Sequence, residues 1–192
     1  MSHHHFAQPE VLIDRLEPPD RDAWQKPDAV IRALGLPADA VVAELGAGTG
    51  YFALHLAQAL PEGRVLALDS QPAMVRYLAE RARVQGVSNL EALVIAHKGF
   101  EEDIGAVNLL LLVDAYHHIP NRVEYFGRVA RRLASGTRLA VIDRRQSEDD
   151  IAAGRPRVVE AVVIVELAQA GFGLLQRFDF LPRQYFLVFE RL

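Results

Sequence analysis

The chain has 192 residues, Lys+Arg 21 against Asp+Glu 25, a formal net charge of −4, and 51% hydrophobic and 24% charged residues. This balance excludes a disordered or collagen-like chain, and the length implies one domain at roughly 150 residues per domain. A pI near 6.0 argues against broad nucleic-acid binding, which needs a basic surface. The absence of Cys removes disulfides, thiolate nucleophiles and Cys-based metal sites.

Residues 1–26 read as an N-terminal arm or lid, and residues 27–192 as a single domain. Pro9, Pro18 and Pro19 and many charges make long regular structure unfavourable in the arm. No apolar stretch follows a basic start, so no signal peptide is expected. His3, His4 and His5 either bind a metal, belong to a tag or do nothing structural, and no metal site is expected. Trp24 and Lys26 either fold over a ligand as part of a lid or anchor the arm to the core.

From Pro27 a short helix is predicted, with Val30, Ile31 and Leu34 on one face and Gly35 as its stop. An alternation follows. Val41–Leu45, Arg64–Leu68, Leu90–Ile95, Val107–Val113 and Thr137–Ile142 read as strands. Tyr51–Leu60, Pro72–Gln85 and Val123–Leu133 read as helices, the last with Val123, Phe126, Ala130 and Leu133 on one side. Val158–Ala170 is rich in β-branched residues, but its length, its Glu160, Glu166 and Gln169, and its ending at Gly171 favour a helix. The same polar residues interrupt Val158–Leu175, the densest apolar stretch, so no membrane span is expected. Leu174–Phe180 and Tyr185–Phe189 suit an antiparallel hairpin. Strands apolar on both faces, alternating with amphipathic helices, imply a three-layer α/β fold with a mostly parallel sheet.

The most informative segment runs from a buried strand into Gly46-Ala47-Gly48-Thr49-Gly50 and then into a helix. Glycines there permit positive φ and close approach of a ligand to the backbone. Dinucleotide folds space their first and third glycines five residues apart, whereas Gly46 and Gly50 are four apart. That spacing, with Glu44 two residues before the first glycine, argues against a diphosphate and against a nicotinamide oxidoreductase. Asp69 ends the next strand, where a carboxylate faces the same crevice and can accept from two vicinal ribose hydroxyls.

Glu44-Leu45-Gly46-Ala47-Gly48-Thr49-Gly50 resembles motif I of the class I S-adenosylmethionine-dependent methyltransferases, and Arg64–Asp69 resembles their second strand with its ribose-binding acid. Leu110–Ile119 is similar to their fourth-strand motif, Arg128–Ile142 to the following helix and fifth strand, and Phe178–Phe189 to their final hairpin. The segments Asp22–Pro27 and Phe180–Phe189 look like those of a small bacterial subset of unsettled substrate. The resemblance implies a Rossmann-like methyltransferase fold and S-adenosylmethionine as cofactor. It places Gly46, Ala47, Gly48 and Gly50 against the methionyl and ribose parts, Glu44 near the methionyl amine, Asp69 on the ribose hydroxyls, Ser70 and Met74 beside them, and Asp114 facing the sulfonium and the acceptor. The family often carries Gly-Asp after strand three; here Phe100 stands at the acid's position, followed by Glu101 and Glu102. Phe100 either stacks on the adenine or packs in the core.

Tyr116, His117 and His118 follow strand four. Either imidazole could take a proton from an acceptor, with His117 favoured, or one could serve only to orient the loop. Tyr116 and Asp114 complete the expected acceptor side. Arg128, Arg131, Arg132, Arg144 and Arg145 are mixed with Glu124, Asp143, Glu148 and Asp149, which reads as a solvated face. The expected activity is methyl transfer to a small-molecule acceptor by an in-line approach. The expected protein is soluble and cytoplasmic, without nucleic-acid or membrane partners. The alternative is an S-adenosylmethionine-binding regulatory or partner-binding protein without turnover.

Overall fold

The computed structural model describes residues 16–95, 106–147, 150, 152 and 157–192. In chain order the elements are α1 (Arg21–Gln25), α2 (Pro27–Leu34), β1 (Val41–Leu45), α3 (Tyr51–Ala59), β2 (Arg64–Asp69), α4 (Pro72–Val84), β3 (Leu90–Val94), β4 (Leu109–Val113), a 3-10 turn (Tyr116–His118), α5 (Arg122–Ala130), β5 (Arg138–Arg144), α6 (Glu160–Gln169), β6 (Phe172–Phe178) and β7 (Gln184–Arg191).

Strand β4 is Leu-Leu-Leu-Leu-Val and wholly buried. Successive side chains of a strand point to opposite faces. Leu109, Leu111 and Val113 therefore join one core with Val42, Phe52, Leu56 and Leu78. Leu110 and Leu112 join the other, with Leu45, Phe126, Val163 and Leu167. Two covered faces are what a continuous apolar run requires, and they make β4 the middle of the sandwich.

The seven strands lie in the order β3-β2-β1-β4-β5-β7-β6. The first five are parallel, and β7 runs antiparallel between β5 and β6. The order reverses between β1 and β4. In open α/β sheets the crevice at such a switch point, beyond the carboxyl ends of the strands, is where ligands bind.

Several boundaries differ from the sequence expectation, each for a tertiary reason. Strand β5 reaches Arg144 because β7 pairs with it through Asp143↔Tyr185 and Arg144↔Gln184. That extension carries Asp143 from an expected surface into the buried strand end, while Arg144 stays exposed beside it. Helix α5 buries Tyr125, Phe126, Val129 and Ala130; of the expected stripe, Phe126, Ala130 and Leu133 are buried and Val123 is half-buried, so the apolar face is wider than expected. Strand β3 is an edge strand, partly buried at Leu90, Ala92 and Leu93 and exposed at Glu91 and Val94, not a doubly covered one. Helix α6 forms despite its valines, because only Val163 and Leu167, one turn apart, need burial while Val162 and Val165 face solvent. No helix among the described residues is long and apolar enough to cross a membrane.

Leu111 has no exposed surface and sits on the most enclosed strand. Leu111→Ala is expected to lower unfolding free energy by about 2–5 kcal/mol. Urea unfolding followed by circular dichroism would show it as a lower midpoint at unchanged slope.

Candidate active site

The glycine turn is shaped by backbone hydrogen bonds before any side chain acts. The amides of Gly46 and Ala47 both donate to the Leu68 carbonyl, at 2.8 and 3.0 Å, and Gly50 N–H donates to the Ala47 carbonyl at 2.8 Å. Gly46, Gly48 and Gly50 all have positive φ, +80°, +55° and +83°. A Cβ on Gly46 would lie 2.8 Å from the Ala115 Cβ, and one on Gly50 would lie 1.9 Å from Leu78 Cδ1. These two glycines are thus required by both conformation and space.

Asp69 locks the turn to β2. Its Oδ2 accepts from Gly48 N–H at 2.8 Å and its Oδ1 from Gln71 N–H at 2.9 Å. Both of these bonds to Asp69 come from main-chain amides, one on each of the two turns. Ser70 is half-buried beside it, and Met74 is buried in the first turns of α4. The structure therefore brings Gly46, Ala47, Gly48, Gly50, Asp69, Ser70 and Met74 to one crevice. Phe100 lies outside the described residues.

Glu44 is buried at the end of β1, and its Oε2 has no hydrogen-bond partner. Burial raises its pKa to about 8, opposed by Arg21 and by the Ala53 backbone and reinforced by Asp69. A buried acid with an unsatisfied oxygen is poised to receive a cation. Arg21 supplies part of the nearby positive charge. Its guanidinium lies 3.8 Å from the Tyr51 ring centroid and donates to Leu16 O at 2.6 Å and Gln25 Oε1 at 2.5 Å.

Residues 16–26 run across the strand ends. Glu17 pairs with Arg81, whose guanidinium also donates to Thr49 O. Asp22 accepts from the Tyr51 hydroxyl. Gln25, fully buried, donates to Asp114 Oδ2 and Gln184 Oε1, both at 3.4 Å. Trp24 is buried near the guanidiniums of Arg144 and Arg183, at 5.4 and 5.2 Å from its ring.

Asp114 adopts φ +51°, a conformation that Asp tolerates better than most residues. Its amide donates to Ile142 O, and its Oδ1 accepts from Gln184 Nε2 at 3.0 Å. Arg144 Nε stands 4.0 Å from its Oδ2. Burial, and then the Asp143 carboxylate, raise the Asp114 pKa.

His117 Nδ1 lies 2.9 Å from both oxygens of buried Asp143. Asp143 also accepts from the backbone amides of His117 and Arg144. An ionised carboxylate only accepts, so the proton belongs on Nδ1 and the lone pair on Nε2. His118 is exposed, and its ring centroid is 3.9 Å from that of His117.

Tyr116 does not join this group. It has no exposed surface, stacks on Phe126 at 5.3 Å, and donates to Glu166 Oε2 at 2.8 Å. The 3-10 turn directs Tyr116 into the core and its neighbour His117 towards Asp143. Arg21, Gln25, Asp143, Gln184 and Arg157 are the site-lining residues that the sequence reading missed. For Asp143 a signal existed: it is an acid at the carboxyl end of a parallel strand, the rule that singled out Asp69 and Asp114. Among the described residues no group of three or more His, Asp and Glu is arranged to hold a metal ion.

The methyltransferase domain family matches residues 42–136, the segment from β1 to the start of β5. A release factor glutamine methyltransferase of Mycolicibacterium smegmatis is 38% identical over 122 residues, 64% of this chain and 41% of that protein. Methyltransferase str2 of Strobilurus tenacellus is 30% identical over 134 residues, 68% of this chain and 46% of that protein. The chain thus spans less than half the length of these curated relatives. A crystal structure of an S-adenosylmethionine-dependent methyltransferase from Aquifex aeolicus shares the fold over 96% of this chain and 99% of its own, with a TM-score of 0.85 at 22% identity. The glycine turn and the strand-end acids lie in or beside the matched segment: residues 42–136 match the methyltransferase domain family, on a fold that the chain shares with an S-adenosylmethionine-dependent methyltransferase.

Proposed function

We propose that the chain transfers a methyl group from S-adenosylmethionine to a small-molecule acceptor at the β1–β4 crevice. The observation that carries this reading is the buried, unpartnered Glu44 oxygen beside three left-handed glycines, the middle one of which donates to Asp69. The donor set fits the cofactor. Gly46, Ala47, Gly48 and Gly50 would pack against its methionyl and ribose parts. Asp69 would accept from the ribose hydroxyls, with Ser70 and Met74 alongside. Glu44 would face the methionyl ammonium and Arg21 its carboxylate. When bound, the cofactor supplies a methyl group already activated on a sulfonium.

The protein's own contribution is placement and proton handling. Asp114, held by Gln184 and Gln25, would position the acceptor. His117 would take a proton from the acceptor hydroxyl or amine at Nε2, with Asp143 fixing its tautomer. Charge-bearing groups held in place beforehand need little reorganisation during reaction. Residues 16–26 would act as a lid, since they already cover the strand ends through Trp24 and Gln25. That cover favours a small acceptor over the protein glutamine named for the M. smegmatis relative. Tyr116, committed to Glu166, is given no part.

Asp69→Ala and Gly48→Val are each expected to weaken S-adenosylhomocysteine binding at least about tenfold, roughly 1.4 kcal/mol, in calorimetric titrations. Unchanged affinity in folded variants would remove the assigned pocket. His117→Ala should keep that affinity and slow acceptor-dependent formation of S-adenosylhomocysteine from a metabolite mixture; tight cofactor binding with no such product in the unaltered protein would favour a binding protein without turnover.

Glu44 also predicts a pH dependence. Its carboxyl is largely protonated at neutral pH in the ligand-free protein, with a pKa of about 8, and a cationic ammonium favours the ionised form. Cofactor binding should therefore release a proton and tighten as pH rises towards 8, by up to about tenfold per unit. Calorimetry in buffers of different ionisation enthalpy reads both effects, and Glu44→Gln should flatten the profile. A flat profile in the unaltered protein would contradict the assignment.

A further inference from the structure

The acceptor side of the crevice contains more hydrogen-bond donors than its neighbours satisfy. Arg157 Nη1 lies 3.5 Å from His117 Nε2, at the weak limit of a hydrogen bond. Arg157 Nη2 reaches Asp150 Oδ1 at 3.4 Å, again a long contact. Its Nε is shut off from water and has no partner. The Arg157 amide donates to Gln146 Oε1 at 2.7 Å, which brings the Gln146 amide alongside. Gln146 Nε2 is likewise buried and unpartnered.

Buried polar groups are normally hydrogen-bonded, so two orphaned donors on neighbouring residues call for an explanation. Both orphans are donors, as is the guanidinium arm facing His117. What is missing is an oxygen acceptor. A guanidinium presents its N–H groups in a planar fork that matches a carboxylate in two-point geometry.

We propose that Arg157, assisted by Gln146, recognises a carboxylate on the methyl acceptor, and that this docking frees the base. The proposal rests on the methyltransferase reading and names the acceptor's chemical class. In the ligand-free arrangement Arg157 faces the one lone pair of His117 that a substrate proton could reach. A docked carboxylate competes for the guanidinium and draws it from Nε2. His117, still held through Nδ1 by Asp143, then offers that lone pair to the hydroxyl or amine of the same acceptor. The proton passes from the acceptor to Nε2, and the acceptor's electron pair would take the methyl group as the sulfur–methyl bond breaks, its electrons staying on sulfur so that S-adenosylhomocysteine leaves. A molecule without the carboxylate would meet a capped base. Asp143 and Arg144 end β5 side by side, and Arg144 approaches Asp114. This links the Arg157 cluster to the cofactor crevice through adjacent residues of one strand.

The test uses the full chain, with and without saturating S-adenosylhomocysteine. Benzoate, 4-hydroxybenzoate and phenylacetate are each titrated against the matching primary amide, with affinity read by ligand-observed NMR. At least one acid should bind tenfold or more tightly than its amide. Arg157→Gln should erase that preference and Arg157→Lys should keep part of it, while the affinity for S-adenosylhomocysteine changes less than twofold in both. In long-range proton–nitrogen spectra the preferred acid should shift the His117 Nε2 resonance, and its amide should not; a merely structural arginine would leave that signal unmoved. Equal binding of acids and amides, or an acid preference that survives in Arg157→Gln, would overturn the proposal. Failure of S-adenosylhomocysteine to bind the unaltered protein would instead strike the methyltransferase reading, and the titrations without it would still read Arg157.

Discussion

The site depends on one carboxylate that bonds to the backbone of two separate turns. Asp69 accepts from Gly48 N–H and Gln71 N–H and so joins the turn after β1 to the turn after β2. The Gly46 and Ala47 amides complete the joint on Leu68 O. A flexible Gly-x-Gly-x-Gly segment would otherwise lose considerable conformational entropy on ordering. Charge-assisted bonds to an ionised acceptor are stronger than neutral ones, which suits Asp69 to hold such a segment open. These backbone bonds shape the crevice by themselves, so less ordering remains to be done on binding.

Gathering carboxylates at strand ends has an electrostatic cost, and the rest of the site can be understood as its management. Glu44, Asp114 and Asp143 end three neighbouring strands in a partly dry environment. Each is treated differently. Asp143 is satisfied by the His117 ring and two backbone amides. Asp114 has two neutral amide donors, Gln184 and Gln25, and a more distant Arg144. Glu44 is left with an unpartnered oxygen and a pKa raised by burial. The acid with the least satisfaction lies beside the glycine turn, where a cationic group of the cofactor would supply what is missing. Residues 16–26 belong to this arrangement as much as the strands do, because Arg21 and Gln25 bring a cation and an amide donor to two of the three acids.

Much of this was legible in the sequence, and the exceptions share a cause. The glycine turn, Asp69 and Asp114 follow from local rules: a buried strand, a turn that needs positive φ, an acid at a strand end. Even the valine-rich α6 could be recognised from the spacing of its polar residues. What sequence could not supply was direction set by distant packing. Tyr116 and His117 are adjacent and equally plausible at the mouth of the sheet. The stacking of Phe126 and the reach of Glu166 from α6 turn the tyrosine inward and leave the histidine to Asp143. Asp143 looked like part of a solvated charge mixture because the strand that pairs with it, β7, lies about 40 residues later in the chain. The contributions of Arg21, Gln25 and Gln184 depend on segments far apart in sequence that meet only over the crevice.

The two halves of the site differ in what they are made of, and the difference bears on function. The half that we assign to the cofactor is mostly backbone: left-handed glycines, amides on Leu68 O, and an aspartate that accepts from main-chain N–H groups of two turns. Few residues other than glycine suit Gly46 and Gly50, given their φ and the closeness of Ala115 and Leu78. The half that we assign to the acceptor is built from side chains: Asp114 and His117 after β4, Asp143 on β5, Gln184 on β7, and Gln146 and Arg157. Those can be exchanged without disturbing the backbone frame. A fold that fixes one reactant through the main chain and the other through replaceable side chains can keep its cofactor while its acceptor changes. The acceptor must therefore be sought in the chemistry of His117, Gln146 and Arg157 rather than in the architecture, which the chain shares with the Aquifex aeolicus methyltransferase at 22% identity.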